Sequence, residues 1–171
     1  MCIVIDTNVL GSVFNDDPKC KEKHSEYKPV FDWINDGIGK IVYGGTTYCK
    51  EIEYKYLKLF SQYRTAQKAI YINDDEVDEK EKWVTEQITH PNFDDQHIVA
   101  LLIVSKCRLI CSNDKRAYPY FTHNTFFNNQ DKPKIYSGKR NIDLLCEANI
   151  PDKYKPVKKT TKGQKKSLGL N

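Results

Sequence analysis

Short apolar runs recur along this chain, and stretches with helical spacing lie between them. Cys2–Ile5, Ile41–Tyr43, Ala69–Ile72 and Leu109–Cys111 each read as a buried strand, and Lys134–Tyr136 as a short fifth. This alternation predicts an α/β domain with a mainly parallel sheet, because parallel neighbours need a crossover long enough to hold a helix. The helices can be bounded from their punctuation. One begins at 7–14 and is broken by Asn15-Asp16-Asp17-Pro18; a second carries Val30, Phe31, Trp33, Ile34 and Ile38 and closes at Gly37 and Gly39. Thr46 or Thr47 can cap a third after the Gly44-Gly45 turn, with Ile52, Tyr56, Leu57, Leu59 and Phe60 at helical spacing. A fourth runs through Val77, Trp83, Val84 and Ile88 and ends before Pro91. Asp94 or Asp95 opens a fifth, reaching Ser105, apolar enough to be buried on most of its surface. Residues 122–133, rich in Asn, Asp and Lys, read as a flexible loop.

At 171 residues the chain is long enough for one domain with a sizeable core. Its longest apolar run, Ile98–Val104, is far short of the about 20 residues that a membrane span needs. No basic n-region or small-residue cleavage site marks a signal peptide. Six cysteines, none in a Cys-x-x-Cys pair, read as reduced and structural, the pattern of a cytoplasmic protein. The net charge is +4, but residues 152–171 alone carry seven Lys against one Asp, which leaves the rest of the chain at −2. The expectation is therefore a domain over 1–151 and a basic tail over 152–171. With so little apolar content the tail reads as disordered, either simply solvated or an arm adding phosphate contacts.

Chemistry is concentrated in carboxylates. In a parallel α/β sheet, ligands bind at the carboxyl ends of the strands. Asp6 ends the first strand and Asp114 follows the fourth, while Glu51 lies early in the helix after the second strand and Asp95 opens the helix before the fourth. Four acids from distant parts of the chain thus converge on one sheet edge. Acids so placed raise each other's pKa, and a divalent cation relieves that cost. Mg²⁺ and Mn²⁺ prefer such oxygen ligands.

The motifs around these acids resemble those of the PIN-domain nucleases. Val4-Ile5-Asp6-Thr7-Asn8-Val9-Leu10 is similar to that family's opening strand with its Asp-Thr-Asn signature. Thr47-Tyr48-Cys49-Lys50-Glu51-Ile52, Asp95-Gln96-His97-Ile98-Val99-Ala100-Leu101 and Leu109-Ile110-Cys111-Ser112-Asn113-Asp114 resemble its second, third and fourth motifs, in order, so that the likeness spans most of 1–137. The resemblance implies a three-layer fold with parallel strand order 3-2-1-4-5 and Mg²⁺- or Mn²⁺-dependent cleavage of RNA. It implies Asp6, Asp95 and Asp114 as metal ligands, and Glu51 as a ligand or water-orienting group. Thr7 and Ser112 would hold carboxylates or water, and Asn8 the loop after the strand. RNA is the implied partner; an antitoxin-like protein or a second copy of the chain is left open by the toxin-type members. The chain is longer than those members and adds the charged 78–90 helix, the 122–133 loop and the Lys-rich tail.

Plainer roles compete at several positions. Asp6 and Asp95 could be helix caps and Asp114 a turn residue. Glu53 competes with Glu51, since on one helix the two point about 200° apart. His97 reads as a packed or exposed histidine rather than a phosphate contact. Lys115 and Arg116 could meet RNA phosphate or merely be solvated. Tyr118, Tyr120, Phe121, Phe126 and Phe127 could stack on bases, although packing is the better account of most. Two rival functions stand: a nucleic-acid-binding domain without turnover, and a Rossmann-like phosphatase. The second usually wants another Asp two residues after its aspartyl nucleophile, where this chain has Asn8.

Overall fold

The computed structural model describes residues 2–14, 21–149, 152–155 and 157–170; the Asn15-Asp16-Asp17-Pro18 breaker and Cys20 lie outside them. Five strands, β1 Cys2–Ile5, β2 Lys40–Gly44, β3 Ala69–Ile72, β4 Leu109–Cys111 and β5 Lys134–Tyr136, form one sheet in the order β3-β2-β1-β4-β5. Every pairing is parallel: Val4 lies opposite Val42 on one side and Ile110 on the other. The fold is α/β with an all-parallel central sheet, as expected. β1 and β4 are buried along their whole length, which is why they read as unbroken apolar runs rather than alternating ones.

Helices cover both faces. The crossovers from β1 to β2 and β3 contain α1 Leu10–Phe14, α2 Lys21–Asn35, α3 Thr46–Glu51 and α4 Tyr54–Thr65. On that side the Phe14 ring is surrounded by Phe31, Tyr56, Phe60 and Tyr63 at centroid distances of 6.0–6.2 Å. α5 Asp74–Gln87, α6 Gln96–Ser105 and α7 Tyr118–Phe121 belong to the second half, where Trp83 meets Phe126 and Phe93 stacks on Tyr120 at 4.3 Å. The aromatics at 118–127 are thus used mainly for packing. Phe126 and Phe127 are buried, and Arg108 holds Asp131 at 2.8 Å, so 122–133 is a series of packed turns, not the free loop its polar composition suggested.

Two helix boundaries differ from expectation. The third helix is split: Ile52 and Glu53 are extended, with Ile52 buried, so α3 ends at Glu51 and α4 begins at Tyr54. Neither Thr46 nor Thr47 caps α3. Gly45 occupies that position, and the backbone N–H groups of Gly45 and Thr46 donate to Asp74 and Asp78 of α5 at 2.8 and 2.7 Å. The acids that make α5 so charged therefore satisfy the start of another helix. The turn before α3 depends on glycine: Gly44 and Gly45 have φ of +143° and +86°, and a Cβ on Gly44 would lie 2.2 Å from the Ile72 carbonyl oxygen.

The basic tail departs most from its reading. A short 3-10 turn at Asp152–Tyr154 and a helix, α8 Lys162–Ser167, dock on the body. Tyr154, Val157 and Leu168 pack against the core, and the Tyr154 hydroxyl donates to the Ser105 carbonyl at 2.9 Å. Thr160 bonds the Gly37 carbonyl through both its N–H and its hydroxyl at 3.1 Å, while the Gln164 amide donates to Ala66 at 2.8 Å. A capping box at Thr161 and Gln164 starts α8, and Lys165 pairs with Asp36. Of the described cysteines, all free, Cys2, Cys107 and Cys111 are buried and Cys146 is exposed. No helix among the described residues is long and apolar enough to cross a membrane.

Candidate functional site

Strand order reverses beside β1, between β1 and β4, and a crevice opens at the carboxyl ends of these two strands. Asp6 sits there. Its N–H donates to the Cys111 carbonyl at 2.9 Å, continuing the ladder by one bond, and the chain then turns into the Thr7–Val9 3-10 turn. The Asp6 carboxylate is buried and accepts three hydrogen bonds: Asn8 N–H at 3.2 Å, the Asn8 side-chain amide at 2.9 Å and the Ser112 hydroxyl at 2.7 Å. It is a cap, as the plain reading held, but one whose second oxygen is held from across the sheet. Burial raises its pKa; the Ser112 and Asn8 bonds and the His97 charge offset part of this, and the Asp114 charge adds to it.

Ser112 links two acids. Its hydroxyl donates to Asp6 and accepts from the Asp114 N–H at 3.1 Å, so the residue after β4 fixes the spacing between the two chain segments. The Asp114 carboxylate faces Arg116, which it meets through the guanidinium at 2.7 and 3.1 Å and the backbone N–H at 2.9 Å. The Arg116 bond holds its pKa below the usual carboxylate value. Lys115 is exposed and makes no ion pair among the described residues.

Asp95 stands at the start of α6 without the side-chain bond of a cap, which weakens the plain reading there. Burial, then the negative charge of Asp6, push its pKa up to about 7; Asp94 and Asp114 add to the rise, and His97 opposes it. Asp94, its competitor in sequence, is exposed. His97, one turn into α6, is buried, with Nε2 3.1 Å from a Glu51 carboxylate oxygen. The contact is an ion pair rather than an aligned hydrogen bond, since Nε2 has no partner of good hydrogen-bond geometry. Burial lowers the His97 pKa, but Glu51, Asp95 and Glu81 outweigh it and the net shift is upward. Below His97, Tyr48 is fully buried and donates to the Ile5 carbonyl at 2.6 Å, one residue before Asp6.

The structure therefore brings Asp6, Asp95 and Asp114 within reach of one another's charge, and joins Glu51 to them through His97. Glu53, the alternative to Glu51, points to Lys55 at 3.4 Å and takes no part. The helix break at Ile52 separates the two acids, not their spacing on one helix. Thr7 makes no hydrogen bond to the acids among the described residues. Sequence reasoning underrated His97 and missed Tyr48. The signal for His97 was its place two residues after Asp95 in an otherwise wholly apolar helix.

An oxygen-only donor set suits a hard divalent cation in chemistry. As the side chains stand it does not suit one in spacing: no three His, Cys, Asp or Glu among the described residues are grouped closely enough to hold an ion. Asp114 is turned onto Arg116 and Glu51 onto His97. Comparison with family models, with curated proteins and with solved structures finds no match to this chain.

Proposed function

We propose that this chain is a PIN-like, divalent-metal-dependent ribonuclease that hydrolyses single-stranded or structured RNA. One observation carries it: buried Asp6 and half-buried Asp95 at the carboxyl edge of a parallel sheet, each raising the other's charge cost, with no basic side chain bonded to either. Such a pair is expensive to build and is the arrangement that a cation would relieve. Mg²⁺ or Mn²⁺, when bound, would supply an activated water and stabilise the departing oxyanion.

The chain's own residues set up the rest. Ser112 and Asn8 fix the Asp6 carboxylate, leaving it no freedom to swing away. Asp114, about a fifth exposed, would have to exchange Arg116 for the ion, which frees the guanidinium and the neighbouring Lys115 to meet phosphate. His97 keeps Glu51 directed at the crevice.

Cleavage of a mixed-sequence RNA by EDTA-treated full-length protein, with and without Mn²⁺, tests this. Metal-dependent fragments that vanish in both Asp6→Asn and Asp95→Asn, with circular dichroism showing folded variants, are the expected result. Turnover unchanged in Asp6→Asn, or no turnover by the wild type with any divalent ion, would overturn it. A second reading, RNA binding without turnover, is favoured by the engagement of Asp114 and Glu51 in ion pairs; it predicts retention of RNA that stays intact.

A further inference from the structure

At the other end of the sheet, where β2 and β3 begin, a cleft of about 570 Å³ lies between the body and the docked tail. Four lysines line it: Lys40 at the start of β2, Lys68 just before β3, and Lys158 and Lys159 from the tail. None of the four is in an ion pair among the described residues, and the nearest acid, Asp36, is already paired with Lys165. Gln67 and Gln164 add amide groups to the lining.

Lys68 is the least expected member. It is 2% exposed, yet its ammonium has a single protein acceptor, the Gly37 carbonyl at 3.1 Å. Charged lysines are rarely buried without a carboxylate. The local chain is built to put it there. α4 ends in a Schellman turn, with Gln67 N–H bonded to Arg64 and Lys68 N–H to Tyr63 at 2.9 and 2.7 Å. The left-handed position of that turn, usually glycine, is Gln67 with φ +58°. Burial, reinforced by the charge of Lys40, brings the Lys68 pKa down to about 8. A phosphate in the cleft would satisfy its spare donors and neutralise the tail lysines at once.

The geometry points to this cleft as a binding site for a small molecule carrying a diphosphate group, held by Lys40, Lys68, Lys158 and Lys159. Its volume falls within the range of ordinary small-ligand pockets, and its charge matches two adjacent phosphates. The site is distinct from the acidic crevice and does not depend on the nuclease reading. Because the tail forms one wall, a bound ligand would bridge the last elements of the chain to β2 and β3.

Calorimetric titration of the full chain with ADP and, separately, with inorganic pyrophosphate tests it, in EDTA so that no metal can hold either ligand at the acidic end. Both ligands should bind. The double variant Lys158→Ala/Lys159→Ala, on exposed positions where folding is not at issue, should weaken each by roughly tenfold, the effect of losing one charge-assisted contact. Lys68→Met should abolish binding, and Asp6→Asn should leave it unchanged. No heat from either ligand at millimolar concentration would overturn the assignment, as would binding that ignores the tail lysines. Lysine-dependent binding of a single-stranded oligonucleotide, with none of ADP or pyrophosphate, would also overturn it and make the cleft a track for RNA backbone.

Discussion

The two ends of the sheet hold buried charge in opposite ways. At the carboxyl end, Asp6 is wrapped in three donated hydrogen bonds, and Asp114 and Glu51 each have a cationic partner. At the amino end, Lys68 has one carbonyl, and Lys40, Lys158 and Lys159 have no ion pair among the described residues. The acidic end is nearly satisfied by the protein itself; the basic end is left wanting an anion. Burial moves both toward their neutral forms, Asp95 up to about 7 and Lys68 down to about 8. Organisation around a site is thus distinguishable from emptiness around one. A charged group that the fold has tied down is poised for something that competes with those ties, whereas an untied one is poised for something that merely arrives.

The largest expected effect comes from untying the acidic end. Ser112→Ala removes the hydroxyl that serves both Asp6 and the Asp114 N–H, and hydrogen bonds to charged groups contribute about 1.5–3 kcal/mol each. Urea denaturation should show a loss of that order, and RNA cleavage should fall with it. An unchanged midpoint would mean that Asp6 is not held from β4, and the contrast between the ends would collapse.

Next comes the dependence of stability on pH without metal or ligand. Asp95 has a folded pKa above its ordinary 3.8, so the folded state holds the proton more tightly and stability drains away as pH rises from about 4 to about 7. Lys68 has a folded pKa below its ordinary 10.5, so stability returns as pH rises from about 8 toward 10.5. These two groups together give a shallow minimum in melting temperature between about pH 7 and 8. Mn²⁺ should lift that minimum from the acidic side and ADP from the basic side. A monotonic profile would break the symmetry.

The smallest expected effect tests the tail. Thr160→Val deletes the side-chain bonds to Ile34 and Gly37 but keeps the backbone one, which should lower stability by about 1 kcal/mol. It should also weaken ADP more than it weakens Mn²⁺. Equal effects on both would show that the tail couples to the whole domain rather than to its basic end.

Much of this was legible in the chain before any coordinates. Strand positions and the converging Asp6, Asp95 and Asp114 follow from apolar runs and from acids at their ends, both local properties. What was not legible depended on pairs far apart in sequence. Asp74 and Asp78 cap α3 from 29 and 32 residues away, and nothing near Thr46 announces it. The break at Ile52 is invisible to periodicity, because a buried isoleucine fits a helix or an extended residue equally well. The tail was misread from its lysines, although Tyr154, Val157 and Leu168 are the side chains that dock it. Phe126 and Phe127 were likewise outweighed by their polar neighbours. Average composition conceals single anchoring residues.

The free thiols give the molecule a built-in clock. A thiol-reactive reagent meeting the native protein finds Cys146 at the surface, whereas Cys2, Cys107 and Cys111 are sealed in and around β1 and β4. Burial also holds Cys107 and Cys111 well above their ordinary pKa, so each stays a poor nucleophile even when briefly glimpsed by solvent. Their alkylation must wait for the central strands to part. The slow phase of modification therefore times the opening of the sheet centre beneath the acidic crevice, against a fast internal standard on the same chain.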